Sequence, residues 1–276
     1  MKRQPPVELP EGYVEFYVNL ENMQNEQQIL LAKSSQFETF DIKRLFASGN
    51  KPIIEQKGIA IDADDYKSVL INVINFMKQN RPDAKVSMEK LELEIDSLDL
   101  EQIISKLITF DTDDFFKKLA EDMSLTQELL IFVFDHAIRP FLRIYSAPYL
   151  ETLLKDDSPL WPFPNICPVC GSKSNFSHIR SADNRRFMFC DRCFSEWETR
   201  FLQCVHCGND EPTTIKYLSV ENDDAYQLYL CDKCQGYLKT YDERQKEEIT
   251  DLFIADIETI YLDMLAQEKG YTNHND

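Results

Sequence analysis

The sequence predicts an α+β fold: an all-α N-terminal domain, two tandem four-cysteine metal ribbons of rubredoxin-like or zinc-ribbon type, and a C-terminal helix. Three observations carry that reading. Apolar residues recur at helical spacing from about Glu11 to Leu154, a stretch without cysteine. All 8 cysteines lie between Cys167 and Cys234, each in a Cys-x-x-Cys pair. Helical spacing returns from Glu247 and ends near Gly270. The expected domains are 1–160, helical; 161–241, two ribbons divided at 200/201; and 242–276, an amphipathic helix.

In the first domain the strongest helical segments are 11–34, 64–79, 98–109, 112–121 and 125–145. Ser124 with Gln127 three residues later resembles a capping box, in which hydroxyl and amide satisfy backbone donors at a helix start. The segment that follows is apolar nearly all round, at Leu129 to Phe134 and again at Ala137 and Ile138, as a central helix would be. Pro140 is expected to kink or restart it, because proline lacks the amide proton a helix interior uses. Three prolines in Ser158-Pro159-Leu160-Trp161-Pro162-Phe163-Pro164 mark a junction near residue 160.

Beyond the junction, short β-biased runs at 186–190, 194–201, 213–220 and 225–231 each lead into or out of a cysteine pair. The pairs are Cys167/Cys170, Cys190/Cys193, Cys204/Cys207 and Cys231/Cys234, with nineteen residues between the first two and twenty-three between the last two. Two residues between thiolates let one tight turn aim both at an ion, and a second turn a hairpin away completes a tetrahedron. Ribbon spacing favours consecutive pairing, with Cys167, Cys170, Cys190 and Cys193 in one site and Cys204, Cys207, Cys231 and Cys234 in the other. Crossed pairing, first pair with third, would interleave the sites. Gly171 and Gly208 fit knuckle turns, since glycine tolerates positive φ. Phe194 takes that place in the second pair, so a different turn is expected there.

Such sites suit two metal ions, iron or zinc, and once filled leave no open position for activated water. Four thiolates around a divalent ion leave a charge of about −2. Arg180, Arg185, Arg186, Arg192, Arg200, Lys233 and Lys239 are placed to offset that field, although most are expected to be solvated surface. His178 and His206 lie in the same region, but eight cysteines already fill two tetrahedra. Trp197 and Tyr237 are expected to pack in the ribbon core.

The net charge is −18: 18 basic and 28 acidic residues in 1–160, 9 and 10 in 161–241, and 3 and 10 in 242–276. Nucleic-acid binding relies on basic residues that displace counterions from phosphate, so no nucleic-acid partner is expected. No Gly-rich phosphate loop, His-Glu-x-x-His or Gly-x-Ser-x-Gly occurs, so no catalytic role is expected. Without an apolar run near ~20 residues or a secretory leader after Met1, the expectation is a cytoplasmic protein with no membrane insertion. In a reducing compartment, clustered cysteines point to metal rather than disulfides.

The flanks of the pairs add a family likeness. Cys167-Pro-Val-Cys-Gly-Ser172, Cys190-x-x-Cys193 running into Glu196-Trp197, Arg200 before Cys204-x-x-Cys207-Gly208, and Cys231-x-x-Cys234 followed by Gly236-Tyr-Leu-Lys239 together resemble the formate dehydrogenase accessory protein family, FdhE. The likeness continues at Ala255-Asp256-Ile257, Leu262-Asp263 and Glu268-Lys269-Gly270-Tyr271, and more weakly upstream at Ala137-Ile-Arg-Pro-Phe-Leu142. Of that family's Asp-Asp element in the terminal helix, only Asp256 is clearly present. The resemblance implies a cytoplasmic maturation factor that binds the catalytic subunit of a molybdenum- or tungsten-dependent formate dehydrogenase and holds metal in rubredoxin-like fashion. The alternative reading is a rubredoxin-like electron carrier fused to a helical domain.

Overall fold

A computed structural model of the chain describes residues 6–33, 37–48, 50–155, 160–245 and 250–274. Ser158 and Pro159 of the junction, and Glu247 and Ile249 at the expected start of the terminal helix, lie outside the described residues. The helices are α1 (Tyr13–Leu31), α2 (Ile42–Ser48), α3 (Ile53–Lys57), α4 (Ala63–Asn80), α5 (Lys85–Glu94), α6 (Leu100–Thr109), α7 (Asp113–Met123) and α8 (Gln127–Leu153). Strands β1 (Phe176–Ile179), β2 (Arg186–Phe189), β3 (Glu196–Thr199), β4 (Ile215–Ser219), β5 (Tyr226–Cys231) and β6 (Gly236–Asp242) follow, then α9 (Leu252–Glu258) and α10 (Ile260–Glu268). The α+β class expected from the sequence is the one observed. The chain forms two compact units, one of Asn19–Thr39 and Ile54–Ala147, the other of Met1–Val18, Phe40–Ile53 and Pro148–Asp276.

The helical unit is built on amphipathic spacing. Along α4, Tyr66, Val69, Leu70, Val73, Ile74 and Met77 are buried on one stripe, and Asp62 caps the helix by accepting from the amides of Asp64 and Asp65. The Tyr66 hydroxyl donates to the Phe134 carbonyl at 3.0 Å. The Phe116 ring lies 5.7 Å from that of Phe134.

Two expectations about α8 are corrected. Ser124 does not open it: with φ 48° it closes α7, its amide bonded to the carbonyls of Ala120 and Glu121. Thr126 caps α8 instead, its hydroxyl accepting from the Leu129 amide at 3.3 Å. Nor does Pro140 restart the helix, which runs unbroken from Gln127 to Leu153. Proline at 140 deprives the His136 carbonyl of its i+4 donor, and Gln24 Nε2 supplies the replacement at 2.8 Å. Gln24 is itself held in place, because its Oε1 accepts from Arg143 Nη2 at 3.0 Å while Arg143 forks onto Glu21 at 3.0 and 2.8 Å.

The second unit is organised by one six-stranded sheet of order β3-β2-β1-β6-β5-β4. All neighbours are antiparallel except β1 and β6, which pair in parallel from Phe176↔Lys239 to Ile179↔Asp242. Two three-stranded ribbons therefore fuse along a parallel seam. Strands β1, β2 and β6 are buried at every position, as strands covered on both faces are. The expected single terminal helix is two: the chain breaks at Thr259, fully buried, whose hydroxyl donates to the Ala255 carbonyl at 2.7 Å. Phe253, Tyr261, Leu262 and Ala266 from α9 and α10 join Phe176, Tyr226, Leu228 and Tyr241 of the sheet in one apolar core.

Gln24→Leu is expected to lower the urea midpoint of the full chain by the equivalent of about 1–3 kcal/mol, since it orphans a buried carbonyl. Adding Pro140→Ala, which restores an amide at the i+4 position, should recover part of that loss. A double variant no more stable than Gln24→Leu would exclude this account.

Candidate metal centres

Three of the cysteine pairs are shaped by a closed backbone loop, and the fourth lies on the turn between β5 and β6, where Cys231 pairs with Gly236. The amides of Gly171, Phe194 and Gly208 donate to the carbonyls of Cys167, Cys190 and Cys204 at 3.0, 2.8 and 3.0 Å. In return the amides of Cys167, Cys190 and Cys204 donate to the carbonyls of Ser172, Ser195 and Asn209 at 2.8, 2.9 and 2.8 Å. The residue after each second cysteine has positive φ: Gly171 at 79°, Phe194 at 62°, Gly208 at 71° and Gln235 at 57°. The second turn thus matches the others, contrary to expectation. A left-handed conformation costs a non-glycine residue roughly 1–2 kcal/mol. Phe194 offsets this by seating its ring 5.4 Å from Phe189 and 5.9 Å from Phe253.

The loops bring the thiols together in consecutive pairs. The sulfurs of Cys167, Cys170, Cys190 and Cys193 all lie within 4.8 Å of one another, as do those of Cys204, Cys207, Cys231 and Cys234. The crossed arrangement is absent from these clusters. Opposing sulfurs stand at 3.5 Å (Cys167–Cys193), 3.6 Å (Cys170–Cys190), 3.6 Å (Cys204–Cys234) and 3.8 Å (Cys207–Cys231). A tetrahedron of metal–sulfur bonds of ~2.3 Å has edges of ~3.8 Å, whereas a disulfide needs ~2.05 Å. The two clusters therefore fit two tetrahedrally bound ions.

Burial pushes the Cys167 and Cys170 thiols well above their ordinary range, and that of Cys204 up to about 11. Buried thiolates need a cation in place of their protons. Burial acts against ionisation of Cys231 too, but backbone amides of Cys234 and Lys233 outweigh it and bring the thiol down to about 7. Asn209 Nδ2 donates to Cys231 Sγ at 3.5 Å, and the Ser195 hydroxyl lies 3.2 Å from Cys193 Sγ. Sequence reasoning did not single out Asn209 or Ser195, although each stands two residues after a second cysteine.

The centres differ in access. The first is wholly buried, while in the second Cys207 is exposed and Cys234 partly so. Neither histidine joins a cluster: His206 Nε2 lies 2.9 Å from the Tyr237 carbonyl, and His178 sits between Glu243 and Glu196 at 2.7 and 2.6 Å. Trp197 and Tyr237 are buried as expected, the indole donating to the Pro164 carbonyl at 2.9 Å and the phenol to Asp263 at 2.8 Å. The basic residues are less solvated than the sequence suggests. Arg200 and Lys233 are exposed, but Arg186, Arg192 and Lys239 are buried. Lys239 lies 2.6 Å from both Asp256 and Asp263, Arg185 lies 2.7 Å from Asp183 and from Glu198, and Arg180 also pairs with Asp183.

A helical protein carrying tandem four-thiol ribbons on one fused sheet is the class that this fold and these centres define. Residues 166–199 match the FdhE central domain and residues 202–276 the FdhE C-terminal domain. Over these two segments the chain is similar to the FdhE family. It is 35% identical over 143 residues to the FdhE homolog of Aquifex aeolicus, covering 50% of each chain. It is 33% identical over 110 residues to that of Shewanella oneidensis, covering 39% of this chain and 35% of the relative. The chain thus spans half or less of the curated relatives it matches. The crystal structure of the FdhE protein from Pseudomonas aeruginosa superposes with a TM-score of 0.57 over 94% of this chain and 87% of that one, at 19% identity, and so shares the fold. Among the described residues no helix is long and apolar enough to cross a membrane.

Burial opposes charge on His178, but Glu196 and Glu243 outweigh it and raise its pKa from the ordinary 6.5 to about 9. A raised folded-state value stabilises the fold fully below pH 6.5 and is lost as pH climbs through about 9. The urea midpoint is expected to fall across that window, and His178→Gln to flatten the slope. An unchanged slope in the variant would remove His178 as its source.

Proposed function

We propose that this chain is a non-catalytic accessory factor in the maturation of a formate dehydrogenase, binding its catalytic subunit in the cytoplasm. Cys167, Cys170, Cys190 and Cys193 hold one ion, and Cys204, Cys207, Cys231 and Cys234 the other, as iron or zinc. The carrying observation is the pair of closed four-sulfur clusters within the segments that match the FdhE central and C-terminal domains. Four protein sulfurs complete a tetrahedron, so the centres offer structure, exchange or electron storage in place of substrate activation. An acidic chain of net charge −18 also suits a protein partner better than nucleic acid.

The exposure of Cys207 favours one second reading, a rubredoxin-like carrier whose outer centre passes electrons. Tagged protein purified from its native cells separates the two. The maturation reading expects two metal equivalents per chain and recovery of a formate dehydrogenase catalytic subunit. Repeated recovery of no such subunit would reject it. The carrier reading expects iron with a reversible visible colour change on reduction, and stoichiometric zinc would eliminate it.

A further inference from the structure

We propose that Arg186 is the built-in counter-cation of the second four-cysteine centre, a positioning residue that sets how tightly that centre holds its ion. This inference rests on the reading that the clusters bind metal. Arg186 opens β2 and is only 2% exposed. Among the described residues no carboxylate pairs with it, and its Nε and Nη2 meet no hydrogen-bond acceptor. Its guanidinium instead lies 4.0 Å from the Tyr229 ring centroid and 5.0 Å from that of Phe201. Arg180, Arg185 and Arg244, which are more exposed, all have carboxylate partners.

A buried, unpaired guanidinium is strongly unfavourable unless negative charge stands nearby, and arginine does not shed its proton to escape. One cavity of about 20 Å³ is lined by Arg186 and Tyr229 together with Cys204 and Cys231. When four thiols give up their protons to a divalent ion, the centre carries about −2, and that charge borders the cavity that the guanidinium also lines. The aromatic faces hold the cation in place by cation–π attraction, and its burial leaves the Coulomb attraction less screened than at the surface. The arginine thus favours thiolates over thiols, and the loaded centre over the empty one. With iron bound, it favours the reduced state, which carries the greater negative charge.

The test uses the full chain loaded with two equivalents of Zn²⁺ and challenged with a graded chelator. Native mass spectrometry counts the ions, and alkylation mapping identifies the cysteines that are freed. Arg186→Met is the main variant, because an apolar chain at this position needs no partner, and Arg186→Gln is read in the same way should Met fail to fold. The variant is expected to release the ion of Cys204, Cys207, Cys231 and Cys234 at about tenfold less chelator, as the loss of one buried charge would produce. The ion of the first centre, retained as in the wild type, reports that the fold is intact. Arg186→Lys, which keeps the charge, should restore most of the retention. Equal release from both centres, wild-type retention at the second, or no rescue by lysine would overturn the proposal. A wild-type chain that takes up no Zn²⁺ would overturn the metal reading itself, and this inference with it.

Discussion

The parallel pairing of β1 with β6 is the constraint on which the ribbon unit depends. Each ribbon alone is a three-stranded antiparallel sheet with exposed edges. Along the seam, Phe176 to Ile179 meet Lys239 to Asp242, and the hydroxyls of Ser177 and Thr240 touch across it at 2.9 Å. The pairing converts two edges into an interior. It also sets where the clusters stand, since Cys190 directly follows β2 and Cys231 ends β5. Lys239, at the first position of the seam, reaches Asp256 and Asp263 and so ties α9 and α10 to the same strand.

Burying a sheet on both faces forces its charged residues to be neutralised locally, and the unit does this in three ways. His178 on β1 lies between two glutamates. Lys239 on β6 lies between two aspartates. Arg186 on β2 lies against two aromatic rings, with no anion of its own among the described residues. The first two are closed ion pairs, whereas the third shares a cavity with Cys204 and Cys231 of the second cluster.

The grouping of the cysteines was legible in the sequence because a Cys-x-x-Cys turn is local and its residue spacing carries the geometry. The long helices were legible for a related reason, since the apolar period of α4 and α8 survives in the chain. Strands β1 and β6 were not, because Ser177, His178, Lys239 and Asp242 are buried through distant partners and erase the alternation that announces a strand. The same holds for the exceptions. The unbroken passage of α8 through Pro140 depends on Gln24, 112 residues before His136. The left-handed turn at Phe194 depends on the ring of Phe253. Local chemistry is written in the sequence, and what cancels a local penalty is supplied by the tertiary structure.

The seam also orders assembly in time. Ser177 and Thr240 are 63 positions apart, so their strands meet only after both ribbons have been synthesised. Each cysteine turn and hairpin closes over far shorter loops and forms earlier, because closing a long loop costs more chain entropy. A nascent chain emerging from the ribosome therefore holds β1 as an open edge until β6 arrives, and the first ribbon must survive that interval on its own contacts.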